Sequence, residues 1–375
     1  MKLAIILNDS LGGGGIPNVM RSIAFELSRK NEVHLFCTKN TKIKNVIIHK
    51  IYTTKFKILS LLYFAVVSKI ITRKGYDITI GSSFHAFNPN IIIAHSCYKS
   101  ALGKWRSIMH NYPNINERKI RISDYLAVLI EYLNFRFGKY RRIVCVSEEI
   151  KNEIIREFNV KPNKIRVIPN GVDLNKFNTK DKINVRSLIR QKYGIKNKEK
   201  IILLVGTPFL RKGLFNLIRS LPHVKNHNFK LIAIGKGDVK YYGHLAKTFG
   251  VSDKIIFVTN CNNPEDFYFA SDLFVFPSFY EGFPLVILEA MASGVPIIIN
   301  KDVVSDIYFK DSKNIFTIDN IFDEKEIAEK INLLLSNNGV CDRLKKNNKG
   351  IIGEFDWEKI SSLYLKEIKK ISPIL

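Results

Sequence analysis

Thirteen short apolar runs, rich in Ile, Val and Leu, recur along the chain, separated by stretches of helical periodicity or by polar loops. In the first half they lie at 3–7, 33–37, 46–51, 78–80, 91–94, 143–146 and 165–168. In the second half they lie at 201–205, 231–234, 255–258, 273–276, 297–299 and 315–318. Most are continuous rather than alternating, which suits strands buried on both faces of a parallel sheet. Amphipathic segments at 20–30, 149–158 and 215–221 lie between them. Thirteen alternations are too many for one ordinary sheet, so two doubly wound α/β domains are predicted. The length of 375 residues agrees, since a domain takes up roughly 150. The break is placed after the turn Pro169-Asn170-Gly171-Val172-Asp173, which leads into a polar stretch. A last helix from Trp357 carries Ile360, Leu363, Tyr364 and Ile368 on one side and has no strand after it.

Charge is the compositional outlier. The 59 basic and 34 acidic residues leave a formal +25, and residues 1–185 hold 31 of the bases against 13 acids. No acid occurs between Glu32 and Asp77, where nine bases stand. An anionic docking surface on the first domain is the expectation. The short apolar window 58–67 inside that run is read as a core helix, because a membrane span needs about 20 residues. Five widely spaced cysteines, without metal-ligand spacing, read as reduced buried thiols. With no signal-like N-terminus, a cytoplasmic protein is expected, soluble or peripheral on the inner face of the membrane.

Three loops carry chemistry. The first, Gly12-Gly13-Gly14-Gly15, follows the first strand and opens a helix, where free N–H groups can meet an anion. It is neither a dinucleotide fingerprint nor a P-loop. The second is Val205-Gly206-Thr207-Pro208-Phe209-Leu210-Arg211-Lys212-Gly213, whose Arg-Lys pair can supply two cations to a diphosphate. The third runs from Phe276 through Glu281-Gly282-Phe283-Pro284-Leu285-Val286 to Glu289. It places a helix start at about Pro284, N–H groups of Leu285 and Val286 toward a phosphate, and two carboxylates on either side. Carboxylates beside a phosphate site need hydroxyl donors, and sugar and ribose hydroxyls supply them.

This third segment resembles the Glu-x7-Glu motif of retaining glycosyltransferases of family 4. Other segments agree in order along essentially the whole chain: the glycine loop, Val146-Ser147-Glu148-Glu149, Arg166 to Asp173, Arg211-Lys212-Gly213, Ile234-Gly235-Lys236-Gly237-Asp238, Ala270-Ser271-Asp272-Leu273 and Phe355-Asp356-Trp357. The second domain is most similar to the lipopolysaccharide-core glucosyltransferase subgroup. The resemblance implies a GT-B fold, two Rossmann-like domains facing a central cleft, with 1–172 plus 357–375 on the acceptor side and 173–356 binding the nucleotide sugar. It implies that Glu289 binds ribose, Glu281 the donor sugar, and Arg211 and Lys212 the diphosphate. Gly14 and Gly15 would approach the donor from the other domain, and His95, ending the run 91–94, would stand beside the sugar; His85, in mid-loop, fits less well. Thr207, Lys236, Gly282, Phe283, Pro284, Leu285 and Val286 complete the donor set.

Two departures from the family pattern stand out: Thr207 where an Arg is common, and Pro284 where Gly is common. The expected activity is transfer of a hexose from a UDP-linked sugar to a hydroxyl of a lipopolysaccharide, O-antigen or capsule precursor, with retention and without a metal or other cofactor. The alternatives are an epimerase or phosphorylase on the same fold, and a basic nucleic-acid-binding protein. The last explains +25 but not two carboxylates at a helix start, and no nucleic-acid motif is present.

Overall fold

A computed structural model describes residues 1–9, 15–53, 57–115, 117, 119–177, 181–304 and 308–372. The chain divides into two compact units: Met1–Gly103 with Ile120–Gly171 and Phe355–Leu375, and Lys104–Lys119 with Val172–Glu354. Each of the thirteen apolar runs coincides with a strand.

In the first unit the elements are β1 (Lys2–Leu7), α1 (Gly15–Ser28), β2 (Glu32–Cys37), β3 (Val46–Lys50), α2 (Lys57–Ile71), β4 (Ile78–Ser82), β5 (Ile91–Ala94), the start of α3 (Tyr98–Asn111), which from Lys104 on belongs to the second unit, α4 (Ile122–Phe137), β6 (Arg142–Cys145), α5 (Glu148–Phe158) and β7 (Ile165–Val167). Among the described residues its parallel sheet runs β3-β2-β1-β4-β5-β6-β7, in register Leu3↔Val33 and Leu3↔Ile78. The centre is almost wholly apolar: Leu3–Leu7, Ile91–Ala94 and Ile143–Cys145 are essentially inaccessible, so layers on both faces bury them. Asp9, just past β1, accepts the N–H groups of Thr38 and Lys39 and pairs with Arg21 at 2.7 Å. Burial opposes its ionisation, but the Thr38 hydroxyl, which also donates to it, together with these N–H groups and Arg21 outweighs burial and holds the carboxyl below its ordinary range.

The second unit holds α6 (Leu174–Phe177), α7 (Lys182–Lys192), β8 (Lys200–Val205), α8 (Leu214–Ser220), β9 (Phe229–Ile234), α9 (Val239–Thr248), β10 (Ile255–Val258), α10 (Pro264–Ala270), β11 (Leu273–Phe276), α11 (Leu285–Ser293), β12 (Ile297–Asn300), β13 (Phe316–Ile318), α12 (Glu324–Ser336) and α13 (Asn338–Ile351). Its parallel sheet runs β10-β9-β8-β11-β12-β13 among the described residues. From β8 the chain winds one way to β9 and β10, then returns to β11 on the other side. Loops after β8 and β11 therefore diverge at the switch point, where open α/β sheets bind ligands.

The closing helix α14 (Trp357–Ile371) belongs to the first unit. Asp356 caps it by accepting the Glu358 N–H at 2.9 Å. Ile360, Tyr364 and Ile368 are buried against the unit, α14 packs on α1, and Glu367 meets Arg142 at 3.3 Å. Gly171 lies so close to Trp357 that a Cβ there would come within 2.7 Å of the indole.

Two expectations change. Residues 104–119, assigned to the first domain by sequence order, pack with the second unit: Tyr112 donates to Asn216 at 3.0 Å, and Glu117 accepts the Leu210 N–H at 2.8 Å. Such contacts join positions about a hundred residues apart and leave no local pattern. The window 58–67 is a core helix on one side only. Leu61, Phe64 and Ala65 are buried in α2, while Leu59, Tyr63 and Val66 are about half exposed. No described helix is long and apolar enough to cross a membrane.

Candidate functional site

The second unit gathers most of the predicted site at the carboxyl ends of β8 and β11. Beyond β8 the chain must turn sharply back, and two glycines make that possible. Gly206, at φ +151°, lets the Lys212 stem lie against the backbone, since a Cβ would meet its Cε at 2.6 Å. Gly213 is left-handed at φ +77°, and a Cβ there would come within 2.0 Å of the Pro277 carbonyl oxygen. The loops after β8 and β11 are thereby pressed together. Phe279 N–H donates to the Arg211 carbonyl at 2.9 Å, which fixes their register.

This seam delivers Arg211 and Lys212 to Glu281. Lys212 Nζ donates to Glu281 Oε1 at 2.5 Å, Arg211 Nη1 at 2.9 Å and Ser278 Oγ at 2.7 Å. All three converge on one carboxylate oxygen; Oε2 has no partner among the described residues and remains open to a hydroxyl donor. Burial opposes the charge on Glu281, but Arg211, Lys212 and Ser278 outweigh it and hold the carboxyl below its ordinary range. Lys212 lies over the Phe276 ring at 4.8 Å, and burial, then the neighbouring Arg211, push its ammonium down to about 8 despite Glu281.

Lys212 carries a pH prediction. Its ammonium is charged below about pH 8 and is discharged above it, so turnover that depends on this cation falls as pH rises through 8. Stability moves the other way: between about pH 8 and 10.5 the unfolded chain holds a proton that the folded chain has released, which makes folding more favourable with rising pH. A pH profile of kcat checks the first effect, and Lys212→Arg should remove the alkaline limb near 8. A limb unmoved in that variant assigns it to another group.

Thr207 and Lys236 are bound to the same network. The Lys236 N–H donates to Thr207 Oγ1 at 3.0 Å and Arg211 Nη2 to the Thr207 carbonyl at 3.3 Å; the Lys236 side chain is exposed. Pro284 lies one residue outside the helix, at φ −74° and ψ 116°, so α11 starts at Leu285 rather than at Pro284 itself. A proline side chain cannot cap, and among the described residues no side chain takes its place. The first N–H groups, those of Leu285 and Val286, therefore point out of the helix end without an intrahelical acceptor. Gly282 is half-buried in this loop. Phe283 is buried against Tyr308 and Phe309, at centroid distances of 5.9 and 6.0 Å, so its ring packs the loop.

Glu289 is partly buried on α11 and accepts the Tyr268 hydroxyl at 2.9 Å through Oε2; no described residue bonds Oε1. Burial raises its carboxyl above the ordinary range, against the Tyr268 hydrogen bond. Tyr268 and Ser278 position the two carboxylates. Sequence reading passed over both, although Ser278 stands three residues before Glu281 in the same loop. Glu117, which fixes Leu210 beside the cation pair, carried no local signal at all.

In the first unit, Gly15 begins α1, while Gly14 and the glycines before it lie outside the described residues. His95 follows β5 and is buried, its ring pushed down to about 3 by burial and by His85. His85, read from sequence as a mid-loop residue, is buried as well and pushed down to about 4 by burial. Both imidazoles are therefore neutral near pH 7. His95 Nε2 and His85 Nδ1 have no hydrogen-bond partner among the described residues.

Residues 13–176 match the family model of Glycosyltransferase Family 4, and residues 185–350 match that of Glycosyl transferases group 1. The chain therefore carries a Glycosyltransferase Family 4 domain followed by a Glycosyl transferases group 1 domain. The lipopolysaccharide glucosyltransferase WaaG of Escherichia coli (strain K12) is 25% identical to this chain over 201 residues, 53% of this chain and 52% of that protein. The chain spans 40% to 52% of the length of the first curated relatives that it matches. A crystal structure of WaaG matches it with a TM-score of 0.77 at 19% identity, over 98% of this chain and 99% of that one. Anabaena Alr3699/HepE in complex with UDP-glucose matches with a TM-score of 0.77 at 17% identity, over 99% and 100%. At these identities the likeness is one of fold, and the fold is GT-B.

Proposed function

We propose that this chain is a retaining hexosyltransferase of family 4 that takes a hexose from a UDP-linked sugar to a hydroxyl of a cell-surface glycan or glycolipid. The observation that carries this reading is the convergence of two cations, buried Lys212 and part-buried Arg211, on one oxygen of Glu281, beside an uncapped helix start. That arrangement suits a diphosphate with a hydroxyl-rich group next to it. Relatives that act on lipopolysaccharide, and a fold neighbour holding UDP-glucose, support the substrate classes.

On this reading Arg211, Lys212 and the N-terminal N–H groups of α11 balance the charge that grows on the leaving diphosphate, in place of a metal ion. Glu281 Oε2 accepts a sugar hydroxyl, while its other oxygen keeps the two cations aimed. Glu289 accepts a ribose hydroxyl through Oε1. The bond from the anomeric carbon to the phosphate oxygen breaks, and the acceptor oxygen bonds to the same face of that carbon. The acceptor's proton passes to the leaving phosphate oxygen, so no protein nucleophile is required.

A panel of nucleotide sugars tests the reading by thermal stabilisation, since a ligand at 100 times its Kd adds about 2.7 kcal/mol. UDP-sugars should raise the melting temperature, and chelation should leave turnover unchanged. A response to no nucleotide sugar overturns the activity; activity restored only by magnesium overturns the metal-free role of the cations. Retention is read from the anomeric configuration of the product.

A further inference from the structure

The loops that carry His85 and His95 follow neighbouring strands of the first sheet, β4 and β5. From β1 the chain winds to β2 and β3, then returns to β4 on the other side of β1. The carboxyl end of β4 therefore lies at the switch point of this sheet. Both imidazoles are buried and neutral near pH 7, and His95 Nε2 and His85 Nδ1 are unbonded among the described residues. A free imidazole nitrogen serves a ligand only if its loop is held still. The loops themselves offer little to hold them: residues 83–90 and 95–97 are neither helix nor strand, and α3 begins without an acid in its first turn.

The missing acceptor comes from α4. Asp124, Glu131 and Asn134 are spaced by about two turns and one turn of that helix, so they share a face. All three are turned inward, and Glu131 is wholly inaccessible. Glu131 Oε1 accepts the Tyr98 N–H at 3.0 Å and the Ser83 hydroxyl at 3.2 Å, and Oε2 accepts the Lys99 N–H at 3.1 Å. One oxygen thus joins the loop after β4 to the helix start that follows His95. Asn134 Nδ2 donates to the carbonyls of Ser83 and Ala86 at 2.8 and 2.7 Å, and its Oδ1 accepts the Asn88 N–H at 3.0 Å. These bonds bracket His85 on both sides. Asp124 accepts the Tyr98 hydroxyl at 2.6 Å.

Packing alone does not account for a carboxylate at this place. Burial pushes the Glu131 carboxyl up to about 7, against the bonds from Tyr98, Lys99 and Ser83, and Glu153 adds to the rise. An apolar side chain of similar volume often fills such a position without loss of stability. What the carboxylate adds is direction, because its two oxygens fix where two backbone N–H groups and a hydroxyl stand.

We propose that Glu131 is a positioning residue of the transfer reaction, which with Asn134 clamps the loops after β4 and β5 so that His85 and His95 keep a fixed aim. The inference rests on the transfer proposed above, with His95 beside the sugar as the family resemblance implies. It does not concern nucleotide binding, whose proposed residues belong to the second unit.

Glu131→Gln tests it. The amide keeps length and one acceptor oxygen but sets an NH2 group against the N–H groups of α3. At pH 8, where Glu131 is ionised, the change should lower kcat by about tenfold or more and leave the Kd for UDP within about twofold of the wild type. In a His95→Ala background it should cost little further, since a residue that acts through another adds nothing once that one is gone. The amides of Tyr98 and Lys99 should exchange hydrogen about tenfold faster, while those of α14 keep their protection. Ser83→Ala removes only the bridge to the loop after β4. It should give a smaller loss of the same kind, and it carries the test if Glu131→Gln does not fold.

An unchanged kcat in the folded variant overturns the proposal, as does unchanged exchange at Tyr98 and Lys99. So does a loss that adds in full to that of His95→Ala, or a His95→Ala protein as active as the wild type. Equal losses in kcat and UDP affinity would mean general support of the fold and overturn it too. A wild-type chain that binds no UDP and turns over no UDP-sugar overturns the donor reading instead, and hydrogen exchange then still decides whether the clamp exists.

Discussion

Glu281→Ala is expected to destabilise the chain by about 3–5 kcal/mol, the usual cost of removing one partner from a buried ion pair. The side chains of Glu281 and Lys212 are only 10% and 8% exposed, and Arg211 reaches the same oxygen. Without the carboxylate, two cations face each other with no counter-charge, and Ser278 Oγ loses an acceptor. Turnover of the protein that still folds should fall by about 100-fold or more, because the cations lose their aim. Glu281→Gln separates the two effects. It keeps volume and an acceptor oxygen but no charge, so the fold should suffer less, and Lys212, deprived of its counter-ion, should titrate lower. Denaturant unfolding measures the first effect and the kcat profile the second. If Glu281→Ala unfolds within about 0.5 kcal/mol of the wild type, the network does not hold the loops together.

Glu289→Ala should weaken UDP binding by roughly 10- to 150-fold, the range for a hydrogen bond to a charged group of about 1.5–3 kcal/mol. The loss should appear in the affinity for free UDP, since the group proposed to bind is the ribose. Tyr268→Phe provides the comparison: it removes the 2.9 Å bond that orients the carboxylate and leaves the carboxylate in place. Its effect on affinity should be smaller. Calorimetry with UDP decides the matter: an unchanged Kd for Glu289→Ala, in a variant that melts normally, removes Glu289 from the ribose site. The raised carboxyl of Glu289 adds a pH sign. As pH falls below neutrality it protonates before an ordinary glutamate does, so UDP affinity should weaken on the acid side, and Glu289→Gln should lose that dependence.

Strand positions were legible because the signal for them is local. A strand buried on both faces needs a continuous apolar run, and each of the thirteen runs, from Leu3–Leu7 to the one ending at Ile318, forms a strand. The candidate site was legible for a related reason. Gly206, Gly213, the Arg-Lys pair and the paired glutamates sit in loops directly after apolar runs, where chain order alone puts them at the carboxyl ends of strands. The helix start was displaced by one residue, since proline suits the cap of α11 as readily as its first turn.

What the sequence determined by itself was therefore the set of elements, their division into two sheets and the chemical inventory of the loops, all properties of neighbours in the chain. Tertiary structure decided which atoms meet. That three donors share one oxygen of Glu281, that Tyr268 holds Glu289, and that Glu117 reaches Leu210 across ninety-three residues depends on packing that no local pattern encodes. It also decided which face of a helix is covered. The apolar residues of α2 and α4 look alike in sequence, and only the neighbours supplied by the fold separate Leu61 and Ile130 in the core from Tyr63 and Leu129 in solvent. Hydrophobicity sets how much surface must be buried; the arrangement of the other elements sets which surface it is.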